Sequence, residues 1–269
     1  GLDGNYSFNL IPESNATEVR ISLSQGAGEY AGDLTLPAST QISLVPPVPG
    51  KSDLVSWWWF DEGKDTKATD SISGTIGTLS GGTSWSLISS YGTSLSFQNV
   101  GDYADLKVPS VNWDDNQFSL SFWFRRNEEG FSWSSEQISN VMLSLGNEQN
   151  CSLQLGTKGS GIELYLSTLG KTDRTSMPAN VQDNHWHYLS VVYDASNYTA
   201  DELNIFMDGS LIGRTSIFGG QLSKGTTEKW LLGVAELSNL TSGRFIGNID
   251  DLRIYKKSMS LEEHQAIFN

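Results

Sequence analysis

The sequence predicts an all-β chain, folded as an antiparallel two-sheet β-sandwich with a short C-terminal helix. Three observations carry that prediction. Apolar and polar residues alternate with a period of two in run after run, turn residues break the runs at regular intervals, and almost no stretch keeps a helical period.

Residues 1–45 read as a β-rich flank, or the end of an upstream β-domain: Tyr6, Phe8 and Leu10, then Val19, Ile21 and Leu23, Leu34 and Leu36, and Ile42 and Leu44 alternate with polar residues. Residues 46–52 form a proline-rich linker, because Pro46, Pro47 and Pro49 lack backbone donors and stop a sheet ladder. From residue 53 to 269 one larger domain is expected. Its strands are predicted at 54–60, 94–97, 103–108, 118–126, 141–145, 162–167, 185–193, 203–207, 230–234 and 245–256. The run from Phe118 shows the period most clearly: Phe118, Leu120, Phe122 and Phe124 share one face, and Ser119, Ser121 and Trp123 the other. Ser260 followed by Glu263 has the spacing of a capping box, which predicts a terminal helix running to Phe268.

Composition narrows function. The 269 residues carry 17 Lys and Arg against 31 Asp and Glu, a formal charge of −14, and no basic stripe occurs. Nucleic acid is therefore not an expected partner, since phosphate binding needs clustered cations. No apolar run approaches the ~20 residues of a membrane span, so membrane insertion is not expected. Cys151 is the single cysteine, which excludes an internal disulfide and cysteine-based zinc frameworks. Gly1 opens without a leader and the chain ends just after a complete structural unit, so neighbouring domains of a longer polypeptide are expected.

The run 54–63 (LVSWWWFDEG) with Asp70, Ser71 and Gly74 is followed in order by five further stations. These are Gly101-Asp102-Tyr103 before Val108-Pro109, Phe118 to Phe124, Trp186-His187-Tyr188 leading to Asp194, Ile205 to Gly209, and Phe245 to Tyr255. Together they resemble the LamG-like jelly rolls, also called concanavalin A-like domains, over residues ~53–269. The resemblance implies two sheets packed face to face with the first and last strands adjacent, and a calcium site frequent among relatives. It implies no activity, because the scaffold carries lectins, adhesive modules and glucanases alike.

If the terminal strands adjoin, Asp61 and Asp70 on the first loop meet Asp250 and Asp251 on the last strand, and these four are the expected Ca2+ ligands. Alternation allows only one of Asp250 and Asp251 to share a side with that loop. The bland reading is that these carboxylates cap turns. Asp102 and Asp105 are a weaker second pair. For a ligand, Trp57 and Trp59 point outward together if Trp58 and Phe60 point inward, and Val19, Ile21 and Leu23 would supply a covering apolar face. Trp85, Trp113 and Trp133 fall in turn-rich stretches suited to stacking on sugar rings. His185 and His187 share a strand face but have no third ligand in view, and read as structural. A glucanase of this scaffold needs strand carboxylates spaced E-x-D, and no E-x-D occurs; Glu163 has no carboxylate two or four residues on.

Sequons at Asn5, Asn15, Asn150, Asn197 and Asn239 permit glycosylation, and with the acidic surface they fit an extracellular setting. The expected function is therefore non-catalytic recognition: calcium-supported carbohydrate binding in a secreted or cell-surface protein. Two alternatives stand beside it, a protein-interaction or adhesion spacer contacting a cell-surface protein, and a degenerate glycoside hydrolase-like domain.

Overall fold

A computed structural model describes residues 22–25, 28–31, 50–90, 92–99, 101–109, 117–126, 140–146, 151–168, 171–196, 202–216, 229–235 and 245–268. The chain divides into two compact units, Gly1–Val48 and Pro49–Asn269. In the first, β1 (Ser22–Gln25) and β2 (Gly28–Ala31) form an antiparallel hairpin in which Leu23 pairs with Tyr30. The other strands expected there lie outside the described residues.

The second unit is a two-sheet sandwich. Its strands begin with β3 (Leu54–Trp58), β4 (Lys67–Thr69), β5 (Ile76–Ser80), β6 (Ser84–Ser86), β7 (Ser94–Phe97) and β8 (Tyr103–Leu106). Then follow β9 (Gln117–Arg126), β10 (Asn140–Gly146), β11 (Cys151–Lys158), β12 (Gly161–Thr168), β13 (Lys171–Met177) and β14 (Trp186–Asp194). The last are β15 (Glu202–Met207), β16 (Ser210–Ser216), β17 (Lys229–Leu232) and β18 (Gly247–Tyr255), followed by helix α1 (Leu261–Phe268). One eight-stranded sheet has the order β13-β12-β11-β10-β17-β8-β5-β4. The other runs β16-β15-β14-β9-β18-β7-β6, with β3 also paired to β18. First and last strands thus lie side by side, Trp58 opposite Leu252 and Leu54 opposite Tyr255.

The alternation read in the sequence sets the layers. Phe118, Leu120, Phe122 and Phe124 of β9 and Leu189, Val191 and Tyr193 of β14 enter the central core, where they meet Leu143, Leu145, Leu153, Leu155, Leu164 and Leu166 of the facing sheet. Trp58 and Phe60 are buried in the same core and stack with centroids 6.5 Å apart. Burial of these inner faces is the dominant stabilising term. Ser260 and Glu263 make the reciprocal capping box, Ser260 N donating to Oε2 at 2.9 Å and Glu263 N to the serine Oγ at 3.3 Å. Among the described residues no helix is long and apolar enough to cross a membrane.

Candidate functional site

The terminal strands bring the four predicted aspartates near one another but not around one point. Asp70 is fully buried, and its two oxygens take four donors: Ser56 Oγ (2.8 Å), Trp57 N (2.8 Å), Ile72 N (3.0 Å) and Ser73 Oγ (2.6 Å). It is a turn carboxylate tying β3 to the following loop. Asp61 accepts from Thr93 N at 2.8 Å; burial, reinforced by the nearby charges of Asp251 and Glu62, raises its pKa.

Asp250 and Asp251 depart from the expected alternation. The β18–β9 register slips between Asp250 and Arg253, and Asp251 has φ 49°, so a bulge sets both aspartates between the core-facing Ile249 and Leu252. Asp250 Oδ2 accepts from Ser90 N at 2.9 Å, whereas Asp251 accepts from the Trp57 indole and pairs with Arg253 at 2.8 Å. Among the described residues no three Asp, Glu, His or Cys side chains could hold a metal ion. Asp61, Asp70, Asp250 and Asp251 as placed do not fit a calcium cage: both oxygens of Asp70 and of Asp251 already accept from protein donors, and Asp61 and Asp250 each hold a backbone N–H on one oxygen. Asp102 is likewise taken, by Gly82 N, Gln98 N and Asn99 N.

Trp57 and Trp59 do share the face opposite Trp58, with centroids 4.7 Å apart. Trp57 is nevertheless buried rather than presented to a ligand, since the Arg253 guanidinium lies over its ring at 4.5 Å. Trp59 is half-buried. This face belongs to the sheet that α1 covers: Phe268 stacks on Trp123 at 5.8 Å and His264 on Phe206 at 4.6 Å. Val19 and Ile21, expected to cover it, lie outside the described residues. Trp85 sits on edge strand β6, packs partly against the core and donates to the Asp65 carbonyl at 2.8 Å. Trp113 and Trp133 lie outside the described residues.

His187 is a clamped structural side chain. Nδ1 meets Asp208 at 2.8 Å and Nε2 meets Asp183 at 3.0 Å. The Asp208 contact is the main reason its pKa is raised, against the opposing effect of burial. His185 lies 3.6 Å from Asp183 and is largely exposed.

The outward face of the β13…β4 sheet is the more ligand-like surface, and the sequence reading missed it. One row crosses all eight strands in register: Lys67, Thr78, Asp105, Leu231, Ser144, Gln154, Tyr165 and Arg174. Leu231 and Ser144 at the middle are buried, Gln154, Tyr165 and Asp105 half-buried, and Lys67, Thr78 and Arg174 exposed. Beside the row, buried Glu163 has Arg174 at 3.5 Å and Lys158 at 3.9 Å. The row thus offers hydroxyl, amide, carboxylate, guanidinium and phenol groups on one rigid surface. The alternation Leu153-Gln154-Leu155 and Leu164-Tyr165-Leu166 was the available signal.

The binding domain of Paraclostridial Mosquitocidal Protein 1 superposes with a TM-score of 0.62 at 17% identity, over 81% of this chain and 52% of that one. The botulinum neurotoxin serotype D ligand binding domain, solved with N-acetylneuraminic acid, gives 0.59 at 14%, over 80% and 50%. Domain 4 of AbnA, an extracellular GH43 arabinanase of Geobacillus stearothermophilus solved with arabinotriose, gives 0.56 at 15%, over 81% and 98%. This chain spans about half the length of the two toxin domains, and identities this low show a shared fold alone. No curated protein matches the sequence. A family model does: the stations from Gly101 to Tyr255 fall inside its match over residues 99–263, more than half of the chain, and on this sandwich they make the protein a member of the concanavalin A-like lectin/glucanases superfamily.

Proposed function

We propose that the chain is a non-catalytic recognition module of an extracellular protein, and that the outward face of the β13…β4 sheet binds carbohydrate. The observation that carries this reading is the in-register row from Lys67 to Arg174, which sets paired donors and acceptors beside the Tyr165 ring. Sugars are recognised by such polar groups together with a flat apolar surface, and sheet residues hold both rigidly. The arabinotriose and N-acetylneuraminic acid seen in the AbnA and neurotoxin structures support a sugar ligand only through shared fold. Asp105, the acid in the row, is paired with Lys107 at 2.8 Å, and Glu163 beside the row is held by two cations and has no partner carboxylate two or four residues along its strand. That arrangement supports recognition rather than hydrolysis.

The test is a glycan array with the wild type, Gln154→Ala and Tyr165→Ala, in calcium and in EDTA. Binding is expected in both buffers, weakened about tenfold by each substitution, equal to ~1.4 kcal/mol, with melting temperature unchanged. Silence of the wild type would overturn the reading. It would favour a protein-contact module instead, for which the exposed Leu87 (89%) and Ile88 (52%) on the β6–β7 turn are the supporting observation.

A further inference from the structure

At one end of the sandwich, between the two sheets, three inward-facing positions are polar. Arg126 ends the β9 row that begins Phe118, Leu120, Phe122, Phe124, so its side chain follows those rings into the interior. Thr157 ends the β11 row Leu153, Leu155, and Asn140 of β10 stands directly opposite it. All three are buried, at 2%, 0% and 2% exposure.

Their hydrogen bonding is incomplete. Arg126 Nη1 donates to the Gly159 carbonyl in the β11–β12 turn, and its Nε has no partner. Thr157 Oγ1 has none either, and Asn140 Nδ2 reaches the Thr157 carbonyl only at 3.4 Å. Among the described residues no carboxylate pairs with Arg126. Burial lowers its pKa, and among the described residues no neighbouring charge opposes it. A guanidinium taken out of water without a counter-charge is costly, as is an orphaned hydroxyl beside it. Arg253, buried as well, has Asp251 at 2.8 Å by contrast.

The geometry points to an anion subsite here, formed by Arg126, Asn140 and Thr157 and taking the carboxylate of an acidic sugar. A carboxylate matches the arginine fork and accepts from the threonine hydroxyl at the same time. Access lies one layer away. Lys158, Gly159 and Ser160 form an exposed turn, Gln182 donates to the same Gly159 carbonyl at 3.0 Å, and a Cβ at Gly159 would meet nothing within 4 Å. Lys158, 3.9 Å from Glu163, places a second cation at the turn. Along β11 the turn begins four residues beyond Gln154 of the outward row, about 13 Å at ~3.3 Å per residue, so one oligosaccharide can span both. This inference rests on the carbohydrate reading for the sugar and on the arginine cluster for the charge.

Thermal melting at matched ionic strength separates the two. Glucuronate at ten times its dissociation constant should raise the wild-type melting temperature by ~3–5 °C; glucose should not. Acetate giving the same rise identifies a subsite for the bare carboxylate, and a rise with glucuronate alone identifies one for the acidic sugar. Arg126→Met should abolish the rise while melting as high as the wild type in buffer, because it removes an unpaired charge; a merely structural arginine would leave a less stable protein. Thr157→Val, close in shape, should weaken the glucuronate effect several-fold at unchanged stability. No rise with glucuronate or acetate, or a rise that survives in both variants, overturns the inference. Binding of neutral glycans on the array, untouched by Arg126→Met, would leave the carbohydrate reading standing by itself.

Discussion

Asp70 shows what a single carboxylate does in this fold. Serine, tryptophan and isoleucine donors all converge on it, and Trp58 Nε1 extends the chain by donating to Ser56 Oγ at 2.7 Å. Removing the acceptor leaves a buried backbone N–H and a buried hydroxyl without partners, each costing ~1–3 kcal/mol. Asp70→Ala should therefore destabilise the protein by about 3 kcal/mol or more, equally in millimolar calcium and in EDTA. If Asp70 were instead an ion ligand, the wild type would melt higher in calcium and the variant would lose that difference. A calorimetric scan of both proteins in both buffers decides between them. The sequence put this residue on the loop after the first strand and could not weigh its role, because Asx turns and metal sites draw on the same side chain at the same loop position.

Among the elements, α1 is where burial and titration meet. His264 is fully buried against Phe206, and among the described residues neither ring nitrogen makes a hydrogen bond of good geometry. Burial lowers its pKa from 6.5 to about 4, against the weaker pulls of Glu263 and of the Met259 backbone. A folded-state value below the unfolded one means that the unfolded chain binds the proton first as pH falls. Stability is then complete above about pH 6.5, declines down to about pH 4, and is flat below. At pH 5 the loss amounts to ~2 kcal/mol, or roughly 5 °C for a unit of this size. His187, whose value is shifted the opposite way, contributes fully below 6.5 and is constant across this interval. His264→Leu should match the wild type within a few degrees at pH 7.5 and melt about 5 °C above it at pH 5; parallel curves would mean that the ring nitrogens are solvated. This helix was legible from Ser260 and Glu263, since a capping box is a local signal. The long apolar strands β9, β14 and β18 were legible for the same reason. Strands β4, β5, β6, β11, β13 and β16 were missed: KAT, SWS and KTDRTSM hold too few apolar residues to show alternation, being edge or near-edge strands. Missing β11 and β13 hid the outward row and the Arg126 end, which exist only once those strands pair.

For the sandwich as a whole, closure depends on its ends. β3 pairs with β18 across nearly two hundred residues, Lys256 N donates to the Asp53 carbonyl at 2.9 Å, and Lys257 lies 3.8 Å from the Asp53 carboxylate. A Cβ at Gly50 would lie 3.2 Å from the Glu263 carboxylate, so the start of this unit touches its terminal helix. The central core is drawn from residues 58 to 254 and needs no particular chain end. Continuity between Phe60 and Phe245 by way of the loops is thus less important than the β3–β18 pairing itself. A circular permutant of residues 49–269, with the old ends joined by a short Gly/Ser linker and new ends opened between Leu87 and Ile88, keeps every ladder intact, because Leu87 is 89% exposed on a turn. It should melt within a few degrees of the unpermuted 49–269 fragment. Deleting 49–58 from the same fragment should prevent cooperative unfolding, since β18 would keep β9 but lose β3 along Leu252 to Tyr255, and the core would lose Trp58. A permutant that fails to fold while the deletion variant still unfolds cooperatively would place closure in the loops rather than in the paired terminal strands.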